Sequence, residues 1–206
     1  MKVVVYDNTC VTTRGHLTPA WATGTLLYRA LRRIDARRGA SSWDEALAWL
    51  ATLREPIDEL QYWGHGKWGA ALVAGDALDA AALAPAHRLR AGLEALRAQL
   101  APDALVWFRT CETLGARPGM DFAMRLADFL GARVAGHTYI IHAYQSGLCG
   151  VAPGMATHWS PDEGLLEGTP DQPRRARSST PWAPRTIHCL NGRVPEAWFS
   201  RSETST

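Results

Sequence analysis

Four short runs rich in branched and aromatic residues alternate along this chain with segments of helical period, and no other feature constrains its fold as strongly. The runs are Lys2 to Tyr6, Glu59 to Trp63, Leu105 to Thr110 and Arg133 to Ile141. Strands separated by helices return in the same direction, so the pattern predicts an α/β sandwich with a largely parallel sheet. The first run is continuous and β-branched, as a strand covered on both faces should be. Helices are expected from Thr25 to about Arg38, from Ser42, and over Leu89–Leu100 and Gly119–Leu130. Ser42 can cap the second helix with Glu45 three positions on, Pro56 follows its end, and Gly131 closes the last.

Between these elements a glycine- and threonine-rich loop runs to about Thr23. Glycine, proline and charge dominate residues 153–184, which read as a loop or flexible excursion. Thr186–Leu190, Asn191-Gly192 and Arg193-Val194 read as a hairpin, because Asn-Gly suits the primed turn that joins antiparallel strands. With 206 residues the chain can bury a full core as one domain, spanning 1–200, with residues 201–206 frayed.

Composition narrows the function classes. A net charge of +2 gives no drive towards nucleic acid or an anionic membrane. The clustered arginines (Arg29, Arg32, Arg33; Arg37, Arg38; Arg174, Arg175, Arg177) read as solvated faces and loop. No run approaches the roughly 20 apolar residues of a membrane span, and the first residues read as a strand rather than a signal peptide, so a cytoplasmic setting is expected. Cys10, Cys111, Cys149 and Cys189 are scattered without metal-ligand spacing, so free thiols and no metal are expected. The GxxxxGK[ST] phosphate loop, serine-hydrolase signatures and HExxH are missing, and no cofactor is expected.

The candidate chemistry lies at two strand ends. His65 sits in the turn Trp63-Gly64-His65-Gly66 after the second run, and Cys111 follows the third. In an open parallel sheet the carboxyl ends of neighbouring strands share one edge, where sites form. A histidine and a cysteine delivered there make a base and a nucleophile. The flanking glycines would let a substrate backbone approach, and the Gly66 and Cys111 amides are candidate oxyanion donors.

These residues resemble the caspase–haemoglobinase group of cysteine peptidases, whose signature is an apolar strand ending in His-Gly and another ending in Cys roughly fifty residues on. From about Ile57 to His142 the chain looks most like a bacterial caspase-like domain of poorly defined function. The resemblance implies a three-layer α/β/α sandwich, His65 as general base, Cys111 as nucleophile and a protein or peptide substrate. A partner protein or an activator accompanies some relatives. One departure is Glu112-Thr113-Leu114-Gly115 after the cysteine, where many relatives carry a small or glycine-rich stretch. A carboxylate facing the thiol would raise its pKa.

Arg109 lies two residues before Cys111, which on a strand puts both on one face. In relatives that position helps line the pocket before the scissile bond, so an arginine favours an acidic substrate residue, unless Asp7 at the end of strand one pairs with it. Trp68 is a candidate groove wall, whereas Trp63 and Trp107 read as core. Cys10, Cys149 and Cys189 read as inert, and His137 and His142 as structural. The Arg174–Arg177 stretch is a candidate self-cleavage site by exposure and composition. The rival to a peptidase is a catalytically silent module that binds a protein partner.

Overall fold

A six-stranded sheet, parallel except at one edge, forms the centre of the molecule. The structure, a computed structural model, describes residues 1–11 and 17–199. The chain opens with β1 (Lys2–Asp7), α1 (Leu17–Ala30), β2 (Ala36–Ala40), α2 (Trp43–Leu50) and β3 (Ile57–Trp63). A small antiparallel sheet follows, made of β4 (His65–Lys67), β5 (Ala70–Val73) and β6 (Asp76–Asp79). Next come α3 (Arg90–Gln99), β7 (Leu100–Arg109), α4 (Ala116–Leu130) and β8 (Arg133–His137). The rest supplies β9 (Tyr144–Gln145), β10 (Leu148–Val151), β11 (Leu165–Gly168), β12 (Pro173–Ala176) and β13 (Ile187–His188). The central order is β10-β8-β7-β3-β1-β2, with β10 antiparallel to β8. This is the mixed α/β class that the alternation predicts.

Each face of the sheet is buried by different material. Val3, Val5, Tyr62, Phe108 and Val134 pack with Leu47, Leu50, Leu93, Phe122 and Leu126 from α2, α3 and α4. On the opposite face Val4 and Trp63 meet Tyr28 of α1, while Trp107 and Leu148 meet Ile187, Val194 and Phe199 near the carboxyl end. Covering both faces explains why the central strands read as near-continuous apolar runs. Each large side chain removed from water there contributes roughly 1.5–3 kcal/mol. Trp63 and Trp107 are core, as expected.

Local signals set several boundaries. Ser42 is extended and its hydroxyl accepts from the Glu45 amide, while the Glu45 carboxylate takes the Ser41 amide and hydroxyl. The reciprocal bonds hold two amides that no helix turn satisfies. Gly131 caps α4 in the left-handed region at φ 64°.

Elsewhere tertiary pairing overrides the local reading. The first helix ends at Ala30, and Arg37 and Arg38 lie in β2, paired to β1, rather than in a helix. An arginine-rich edge strand carries no apolar period to betray it. The third apolar strand begins at Leu100, with an irregular register against β3 between Ile57 and Glu59, so Pro102 sits at a break in the ladder. α4 starts at Ala116, placing Gly119 in its first turn rather than ahead of it.

The fourth strand stops at His137, because Thr138 to Ile141 turn away to meet other segments. Ile140 bridges Ser178, and its amide donates to the Arg177 carbonyl. Residues 153–184 are no structureless excursion, since they contain the β11–β12 hairpin. No hairpin forms at Asn191-Gly192. β13 pairs instead with β9, and Tyr28 donates to the carbonyls of Cys189 and Asn191. The expected Gly/Thr-rich loop to Thr23 is shorter than read, because α1 already begins at Leu17; its residues 12–16 and the expected frayed tail (201–206) lie outside the described residues.

Candidate active site

β1, β3 and β7 are neighbours, with Tyr6, Trp63 and Arg109 in register, so all three strands deliver their next residues to one edge. His65 begins the β4–β5 hairpin beyond β3, and Cys111 lies just beyond β7. Gly66 brings the two segments together. A Cβ built there would lie 2.7 Å from the Cys111 carbonyl oxygen and collide with the Thr113 hydroxyl. The hairpin is also clamped by the Gly69 amide, which donates to the Thr113 carbonyl at 2.8 Å. Thr110 and Thr113 share a hydroxyl hydrogen bond of 2.6 Å beneath it.

Cys111 is half-buried. Burial pushes its thiol up to about 11; the charge of Glu112 acts in the same direction, and an amide hydrogen bond from Ile141 opposes both. The expected effect of Glu112 is present, but desolvation is the larger cause. Glu112 itself is buried in the left-handed region at φ 33°, its Oε2 without a hydrogen-bond partner. Burial raises its carboxyl to about 7 against the attraction of Lys67. Lys67 lies over the Trp68 ring at 4.7 Å, and Trp68 borders Gly115 in the loop after Cys111. Trp68 and Glu112 therefore flank the cysteine loop.

His65 is exposed. Its Nε2 lies 3.3 Å from Cys10 Sγ, and Trp21 of α1 meets its ring edge-on at 5.3 Å between centroids. Among the described residues His65 makes no hydrogen bond to Cys111. The structure thus brings the two expected residues to one edge but turns the imidazole to the other thiol. Cys10, read as inert, stands in direct contact with the candidate base. The rule that located His65 and Cys111 applied equally to Cys10, three residues past β1.

Arg109 is 4% exposed, and its guanidinium faces inward. It donates to Gln145 Oε1 through Nε (3.1 Å) and Nη2 (2.8 Å), to the Tyr28 hydroxyl (2.7 Å) and to the Cys189 carbonyl (2.6 Å). The rings of Trp107, Trp63 and Tyr28 surround it at 4.5, 5.0 and 5.5 Å. The expected Asp7–Arg109 pair does not form. Arg109 is in register with Tyr6, and consecutive strand residues face opposite sides, so Asp7 points to the other face. Asp7 accepts instead from the Thr9 amide and hydroxyl at 2.8 and 2.6 Å. Because β7 ends at Arg109, strand parity does not carry through to Cys111.

His137 is fully buried with Nδ1 on the Ser146 carbonyl at 3.1 Å, and burial lowers it to about 3; it is structural. Cys149 is buried, and burial raises its thiol. Unforeseen from the sequence is a groove of about 490 Å³ lined by Tyr139, Arg177, Ser178, Thr180 and Trp182, beside the segment whose Ile141 amide meets Cys111. Trp182 stands 90% exposed there. Among the described residues no cluster of three or more His, Cys, Asp or Glu could hold a metal, and no helix is long and apolar enough to cross a membrane. The chain matches no family model, no curated protein and no solved structure.

Proposed function

We propose that the chain is a cysteine endopeptidase of the caspase type, with Cys111 as nucleophile and His65 as general base. The observation that carries the reading is the packing of Gly66, the residue after His65, onto the carbonyl of Cys111. It supports a shared site at the ends of β3 and β7, where a substrate carbonyl would meet both groups once the imidazole turns away from Cys10. In the reaction His65 takes the Cys111 proton as sulfur attacks the scissile carbonyl, and the imidazolium then protonates the departing amine. Water releases the acyl group in the second half. The Gly66 and Cys111 amides are assigned to the oxyanion. The helices and carboxyl-terminal segments on the two faces of the sheet are consistent with three layers of the caspase type. The groove between Tyr139 and Trp182 offers a seat for a peptide.

Activation is part of this reading. A thiol held at about 11 must be lowered, and the imidazole must leave Cys10, before attack. Those same two observations favour a second reading, a catalytically silent module that binds a protein partner.

The test is hydrolysis of a mixed peptide library by wild type, Cys111→Ala and His65→Ala, with and without a peptidyl electrophile. Cleavage lost in both variants, with the electrophile bonded to Cys111, supports the peptidase. Equal, background cleavage in all three proteins and an unlabelled Cys111 support the binding module.

A further inference from the structure

Cys10 occupies the edge of the site opposite Cys111, since β3 lies between β1 and β7 in the sheet. Its loop is tied at both ends. The Thr18 hydroxyl donates to the Asp7 carbonyl at 3.0 Å, the Thr18 amide to the Cys10 carbonyl at 3.3 Å, and the Val11 amide to the Thr9 carbonyl at 2.8 Å. The buried Asp7 carboxylate fixes Thr9 from the other side. α1 therefore anchors Cys10 through Thr18 and braces the His65 ring through Trp21. A thiol 3.3 Å from an imidazole nitrogen, with both partners held by one helix, has the geometry of a nucleophile and its base.

We propose that Cys10 is the thiol that His65 activates in the resting protein, and that it is a modification site for hydroperoxides. The inference rests on His65 acting as a base, as in the function proposed above, but not on Cys111 as nucleophile. The Cys10 sulfur attacks one peroxide oxygen, the O–O bond breaks, and a sulfenic acid forms. His65 takes the thiol proton and passes it to the departing oxygen, which leaves as water from hydrogen peroxide or as an alcohol from an organic hydroperoxide. Sulfur is oxidised by two electrons and the peroxide is reduced by two. The product sits on the imidazole nitrogen that Cys111 chemistry needs, so the same event holds the site silent.

The experiment uses the full chain. Alkylation rates with iodoacetamide are followed at each of the four cysteines by peptide mapping, and hydrogen peroxide treatment is followed by a dimedone-type sulfenic acid trap. Cys10 is expected to alkylate about tenfold or more faster than Cys189, and to carry the trap. Both properties should fall to the Cys189 level in His65→Ala and in His65→Gln, which keeps a polar side chain without a base, and should persist in Cys111→Ala. A Cys10 rate equal to that of Cys189, or one indifferent to both His65 variants, overturns the proposal. Failure of the peptidase reading appears elsewhere, as peptide turnover unaffected by Cys111→Ala, whatever Cys10 does.

Discussion

Gly66 stands so close to Cys111 that an added Cβ would lie 2.7 Å from the Cys111 carbonyl oxygen. That oxygen is backbone and cannot swing away as a side-chain tip can. Gly66→Ala is expected to push the β4–β5 hairpin off the cysteine loop, at a cost of about 1–3 kcal/mol in stability. Urea unfolding of the variant measures it. A midpoint equal to that of wild type would show that the hairpin yields freely, and would remove the packing argument for a shared site.

Arg109 is a second lever. Removing its guanidinium as Arg109→Met leaves the Tyr28 hydroxyl and Gln145 Oε1 without their Arg109 donor and takes from the Cys189 carbonyl one of its two donors, the other being Tyr28. The expected loss is about 2–4 kcal/mol, because unsatisfied buried groups add to the bonds lost. Arg109→Lys should recover little, since an ammonium cannot reproduce the planar fork. Denaturant curves for the two variants decide. Near-wild-type stability of Arg109→Met would instead free the residue for a role towards substrate.

Glu112 makes stability depend on pH with a definite sign. Its folded carboxyl titrates near 7 rather than at the ordinary 4.5, so between these values the folded chain holds a proton that the unfolded chain has lost. Stability therefore falls as pH rises through that window and levels off above it. The full difference corresponds to an upper bound of about 3 kcal/mol. Glu112→Gln lacks the titration, so its stability relative to wild type should improve between pH 4.5 and 7. Thermal melts across that range check it, and parallel curves for the two proteins would contradict the burial argument.

The β11–β12 hairpin holds the Arg174–Arg177 stretch, the candidate self-cleavage site, in paired backbone with its arginines exposed. Arg175 pairs with Glu167 at 3.2 Å, and the Arg177 amide donates to the Gly164 carbonyl at 2.8 Å. Gly168 turns this hairpin at φ 99°, where an L side chain is strained. Gly168→Ala should open the hairpin and speed trypsin cutting within Arg174–Arg177 by about tenfold, following the larger open population. Limited digestion with mass mapping reads this. Unchanged cutting there would mean that the hairpin does not limit access.

How much of this was legible beforehand differs by element. The strands through Tyr62 and Phe108 declared themselves because burial on both faces demands unbroken apolar runs. The caps at Ser42 and Gly131 were readable because their chemistry is local. β2 was not readable, for its place depends on pairing with β1 and its residues are those of a polar edge. Asn191-Gly192 does not turn a hairpin for the same kind of reason. Contacts from Tyr28, more than a hundred residues away in sequence, hold that segment where a local turn preference cannot.

The sequence alone determined the class of the fold and placed His65 and Cys111 just past the ends of two apolar strands, since hydrophobic period acts over a few residues. Only the tertiary structure decided which way each group points. Asp7 and Arg109 were separated by strand parity across three aligned strands. Arg109 was turned inward by Gln145 and by the Cys189 carbonyl, both brought in by the carboxyl-terminal half. The imidazole was given Cys10 because α1 packs its first turns over the ends of β1 and β3. Such choices depend on contacts between residues far apart in the chain, and no local pattern encodes them.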